Sequence, residues 1–206
     1  MNARFRAVHR LLDRPLSGTA RLLLVAGILA LVVGSLLPLW RIELVAPQYA
    51  EGLRLDMYAY RIAGGNGGQD LHEINTLNHY IGMKPIVEAD FAEMKWLPFA
   101  IGVFVLLTLR AIVMDRVGHL VDLAVLFTYF GLFSLGTFAY RLYTYGHQLD
   151  PHAPMRIDPF MPVVVGRQQI ANFVQTSLPL WGTLCMGLFL AALAGAIWTS
   201  RREAVA

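Results

Sequence analysis

The stretch LLLVAGILALVVGSLLPLW, residues 22–40, decides the class of this fold. It holds nineteen residues without a charge, and at 1.5 Å of rise per residue they form a helix of roughly 29 Å, the thickness of a bilayer's hydrocarbon core. A helix keeps its backbone hydrogen bonds within itself, which is the condition for crossing a medium that contains no water. Residues 96–114, 120–140 and 178–198 read the same way. The chain of 206 residues is 56% hydrophobic and only 15% charged, a balance that excludes an ordinary soluble globule. The expected fold class is an all-α membrane protein: a four-helix transmembrane bundle with a small α+β extracytoplasmic insertion. Pro38, Leu39, Trp40 and Arg41 close the first run without a small-residue cleavage pattern, so it reads as a retained helix rather than a signal peptide.

Basic residues set the expected orientation. Arg4, Arg6, Arg10, Arg14 and Arg21 in the tail 1–21, Arg110 and Arg116 about the turn 115–119, and Arg201 and Arg202 in the tail 199–206 form the dense set. The loops 41–95 and 141–177 together hold eight basic and ten acidic residues over about ninety positions, a much lower basic density. Both termini are therefore expected in the cytoplasm of a bacterial inner membrane, with the two loops outside and Trp40, Trp96 and Trp181 at the outer interface. The net charge of +3 is spread beside the spans and does not indicate nucleic acid. A single cysteine, Cys185, excludes an intrachain disulfide framework.

The loop 41–95 has structure of its own. Leu53, Leu55, Met57 and Ala59 alternate with Arg54, Asp56, Tyr58 and Tyr60, the period of a half-buried strand, and residues 41–45 suit a partner strand across the turn 46–52. Gly64, Gly65, Gly67 and Gly68 around Asn66 read as a flexible break. A short helix is expected next, with Asp70 as N-cap and Gly82 as its stop. Pro151, Pro154, Pro159 and Pro162 argue against regular structure in the second loop. The phrase Leu-Pro-Leu-Trp, at 37–40 and 178–181, reads as the outer end of a span in each case rather than as a duplication.

Histidine and methionine concentrate in the outer loops: His72, His79, His147, His152, Met57, Met83, Met94, Met155 and Met161. Thioether with imidazole is a ligand set suited to copper, Cu(I) above all. The expected metal ligands are His72, His79 and Met83, with His147, His152 and Met155 from the second loop. His72, Asn75 and His79 fall on one helical face, and Met83 extends the series if the helix continues. The plainer alternative has Met57 packing its strand and the histidines hydrogen-bonding to loops.

The segments APQYAEGL at 46–53 and NTLNHYIGMK at 75–84 resemble a family of small multi-span membrane proteins encoded among nitrous oxide reductase maturation genes and other copper-enzyme genes. The resemblance covers about a quarter of the chain. It implies a non-enzymatic accessory protein for assembly of, or copper handling by, a periplasmic copper enzyme, with that enzyme or its maturation proteins as partners. The competing class is a structural or electron-transfer membrane subunit of a respiratory complex.

Other chemistries lack their residues. No histidine lies mid-span to ligate haem, and the glycine cluster lacks the Lys-Ser or Lys-Thr of a phosphate loop, so neither haem nor nucleotide is expected. Asp122, one turn into the third span, is expected to pair with Arg110 or Arg116 or to reach headgroups rather than to work inside the membrane. Ala26, Ala30 and Gly34 in the first span and Gly187, Ala191 and Gly195 in the fourth form small-residue ridges, which predict that these spans touch.

Overall fold

The computed structural model describes residues 9, 11–170 and 172–202, so Arg4, Arg6 and Arg10 of the basic tail lie outside the described residues. The chain divides into two units. One takes the residues through Ser35, Pro98–Leu132 and those from Leu184 onward; the other takes Leu36–Leu97 and Phe133–Thr183. The principal helices are α1 Gly18–Leu36, α2 Gln69–Tyr80, α3 Glu93–Met114, α4 Val117–His147 and α5 Trp181–Arg202, and the strands are β1 Trp40–Ala46, β2 Tyr49–Met57, β3 Ile62–Gly64, β4 Gly166–Ile170 and β5 Phe173–Pro179.

Helices α1, α3, α4 and α5 are each long and apolar enough to cross a membrane. Their ends differ from the sequence expectation. The first stops at Leu36, ahead of Pro38, and Trp40 opens a strand. Helix α4 runs past residue 140 to His147, since no proline or helix-ending glycine interrupts it before Pro151.

In the helical unit an aromatic row joins the elements. Phe104 of α3 meets Phe127 of α4 edge-on at 5.0 Å, and Phe127 meets Phe189 of α5 at 4.8 Å. Gly27 of α1 lies against that last ring: a Cβ added there would stand 3.1 Å from Phe189 Cδ2 and 3.2 Å from Ala192 Cβ. Leu22, Leu29, Val113, Leu132 and Leu188 remain exposed, so these helices carry large apolar side chains on their outward faces too. The first and fourth spans touch as expected, but only part of the expected ridges takes part: Gly34 is buried and Gly195 is in contact. Ala26, Gly187 and Ala191 are exposed, and nothing lies within 4 Å of a Cβ at Gly187. The contact runs through Gly27, and through Gly195 against Leu23 at 3.3 Å. Smallness alone does not say which helix face is buried. Among the described residues no ion pair joins Asp122 to Arg110 or Arg116; Arg116 faces Asp13 at 3.4 Å instead.

Asp115, in the turn between α3 and α4, adopts a left-handed φ of 54°. Its Oδ1 accepts the Leu16 N–H at 3.0 Å and the Arg21 guanidinium at 2.9 Å. The Arg21 hydrogen bond first, and the Leu16 N–H second, hold this carboxyl below its ordinary 3.8. A carboxyl depressed in the folded state adds stability that is fully present above its unfolded pKa and is lost as pH falls through the folded one. Between about pH 4 and pH 2 the wild-type melting temperature in detergent should therefore fall more steeply than that of Asp115→Asn, with the two curves parallel above about pH 5. Equal slopes at acid pH would refute this role for Asp115.

In the other unit the five strands form one antiparallel sheet in the order β3-β2-β1-β5-β4. Alternation builds it: Ile42, Leu44, Leu53 and Leu55 turn to the buried face, while Arg41 pairs with Asp56 across the β1–β2 register at 2.6 and 2.8 Å. Strands β4 and β5 overturn the expectation of an irregular second loop. Their inward positions are Phe173, Gln175 and Ser177, all buried, and two polar residues in three obscure the period-two signal. Ser177 Oγ accepts the Trp40 indole N–H at 2.8 Å and donates to the Val164 carbonyl at 2.7 Å. The two Leu-Pro-Leu-Trp phrases meet: Trp40 pairs with Pro179, and the Leu39 carbonyl accepts the Leu180 N–H at 2.9 Å.

The glycine cluster is tightly packed at its first two positions. A Cβ at Gly64 would lie 2.6 Å from the Leu71 backbone nitrogen, and one at Gly65 would collide with the Asp70 carboxylate. Asp70 is not the N-cap of α2. Gly68 holds that place, and the Asp70 side chain is buried, accepting the Arg54 N–H at 2.9 Å and the Asn66 amide at 2.8 Å. The stop at Gly82 is as expected: its φ is 78°, its N–H reaches the His79 carbonyl at 3.2 Å, and the Met83 N–H reaches the Asn78 carbonyl at 2.8 Å, the double bond of a Schellman end.

Candidate functional site

Helix α2 exposes His72 and His79 two turns apart. Beyond it, the left-handed Gly82 reverses the chain, so Met83 leaves their face and packs half-buried against the apolar core. Asn75, between the histidines, is a clasp: its Oδ1 accepts the Ile86 N–H at 2.7 Å and its Nδ2 donates to the Ile86 carbonyl at 3.1 Å.

The second loop is fastened to the end of α2. The Asp150 N–H donates to the Gly82 carbonyl at 2.8 Å, the Met155 N–H to the Tyr80 carbonyl at 2.9 Å, and Lys84 Nζ to Gln148 at 2.8 Å. Gly82 is needed for this approach, since a Cβ there would stand 2.9 Å from the Asp150 carbonyl oxygen. These ties bring Asp150, His152 and Met155 to the edge that carries His79. Asp150 Oδ1 accepts the His152 N–H at 2.9 Å and lies 3.3 Å from His152 Nδ1. The His152 backbone N–H is the leading cause that holds the Asp150 carboxyl below its ordinary value, with the nearby His79 a smaller one. His147 is apart from this edge in its bonding, its Nδ1 lying 2.9 Å from the Tyr143 carbonyl and its ring stacked on Tyr143 at 3.8 Å. Of the six expected ligands the structure thus ties the segment that carries His152 and Met155 to the end of α2 that carries His79, turns Met83 inward, and occupies His147 with Tyr143. Among the described residues no three His, Cys, Asp or Glu side chains stand together as a preformed metal cage.

A second feature escaped sequence reasoning. Behind α2 the same unit encloses a cavity of about 80 Å³, walled by apolar side chains of β1, β2, the 160–162 segment and α4. Asn78, Gln175 and Arg141 are its polar members. Asn78 is 5% exposed and its Nδ2 has no hydrogen-bond partner. Arg141 is held by Glu93 in a two-pronged pair, both contacts 3.1 Å, and lies 5.2 Å over the Phe91 ring. The available signal was Asn78 itself, a polar residue in register with Ile74 and Ile81 on the buried stripe of α2.

Comparison of the chain with protein-family models, curated proteins and solved structures returns no match. None of these comparisons links the chain to copper-enzyme maturation genes.

Proposed function

We propose that this chain is a non-catalytic, multi-pass protein of a bacterial inner membrane that assists a copper enzyme outside the cytoplasm, handling Cu(I) at the edge shared by His79, Asp150, His152 and Met155. The observation that supports this reading is the fastening of the second loop to the Tyr80–Gly82 end of α2 by backbone hydrogen bonds, which joins the segment of His152 and Met155 to the helix end that carries His79. The thioether of Met155 and the imidazoles of His79 and His152 are the ligand types of this edge that suit Cu(I). Orientation is supported by the density of arginines near the helix ends at Asp115 and Arg202. A reporter active only outside the cytoplasm should work when fused after Gly65 or Pro154 and fail after Arg202; reversed activities would move the proposed ligands into the cytosol and end the copper reading.

The copper test uses the full chain in detergent, titrated with Cu(I) against a competing chelator. Paired His79→Ala and His152→Ala should weaken binding by at least about tenfold, and Gly82→Ala should do the same by dislodging the loop. His147→Ala should have no effect. Binding unchanged in the first two variants would leave the competing class, a structural or electron-transfer subunit whose outer unit docks a protein partner; the lack of a preformed cage among the described residues favours that second reading.

A further inference from the structure

We propose that the cavity behind α2 binds a small neutral molecule that is apolar except for one carbonyl acceptor, which receives the Asn78 amide. The enclosure is almost wholly apolar, from Ile42, Leu44 and Leu55 on the sheet to Phe138 and Leu142 on α4. Such a lining holds hydrocarbon by contact and gives no other orientation to a ligand. Orientation comes from Asn78. A buried amide donor without a partner is unfavourable, and a matching acceptor removes that penalty.

Charge narrows the class. Arg141 is the cation on the wall, and Glu93 already engages it through both carboxylate oxygens. An anionic ligand would have to displace that carboxylate, whereas a neutral one leaves the pair intact. Size narrows it further. A 150 Å³ cavity accommodates benzene, so about 80 Å³ suits roughly three to five heavy atoms: a short or branched ketone, aldehyde or ester end. None of the cavity walls belongs to the His79–His152–Met155 edge, so this site is independent of the copper reading.

The probes are 2-butanone and its isostere 2-methylbutane, which replaces the carbonyl by CH–CH3. Both are titrated into the full chain in an alkyl maltoside, a detergent without a carbonyl, while the Asn78 side-chain amide is followed by NMR. The ketone should bind about tenfold more tightly than the hydrocarbon and move the Asn78 amide proton downfield, and Asn78→Leu should abolish the preference while retaining hydrocarbon binding. Equal binding of the two probes by the wild type, no binding of either, or a ketone preference that survives Asn78→Leu would each overturn the proposal. The wild-type comparison decides even if the variant fails to fold.

Discussion

Gly27→Leu should lower the stability of the full chain in detergent by about 1–3 kcal/mol or abolish folding, while Gly187→Leu leaves it within about 0.5 kcal/mol of wild type. The contrast follows from space. A single carbon at Gly27 would already sit 3.1 Å from the Phe189 ring, and three more would have to displace a side chain that is wholly buried and in contact with Phe127. In an apolar solvent, helices are held together by close van der Waals contact rather than by escape from water, so separating α1 from α5 removes the main attraction between them. Gly187 is exposed with nothing within 4 Å of an added Cβ, so a leucine there has open space. Thermal unfolding of both variants checks this, and equal loss at the two positions would show that the Gly27 contact is not the one that joins the helices.

Gly65→Ala and Gly64→Ala should each destabilise the sheet-containing unit by roughly 2–4 kcal/mol, against about 1 kcal/mol for Gly67→Ala. At Gly65 the methyl would push aside the Asp70 carboxylate, stripping acceptors from the Arg54 N–H and the Asn66 amide. At Gly64 it would meet the Leu71 backbone, which no rotamer change can move. Gly67 has open space around it, so the cost there is that of a left-handed φ of 68° for an L-residue. Amide exchange at Arg54 separates the cases: protection should collapse in Gly65→Ala and persist in Gly67→Ala. Persistent protection in both would mean that the Asp70 lock does not hold this corner.

Local patterns settled much of this protein without a structure. Long apolar runs are helices because a 3.6-residue turn satisfies its own backbone, and α1, α3, α4 and α5 lie where those runs are. The β1–β2 hairpin was legible because its buried positions are apolar, and the end of α2 because only glycine turns left-handed there without strain. Tertiary structure alone decided the rest. Strand β5 hides behind Gln175 and Ser177, which are buried because Trp40 and the Val164 carbonyl complete the bonds of Ser177. The face that α1 turns to α5 depended on which large side chain would cover a glycine. The segment of His152 and Met155 was fastened to the His79 end of α2 through hydrogen bonds between segments some seventy residues apart, and Asn78 became an unpaired donor only because elements distant in sequence buried it. A pattern along the chain records what each residue prefers, whereas burial and adjacency at such separations are properties of the packed whole.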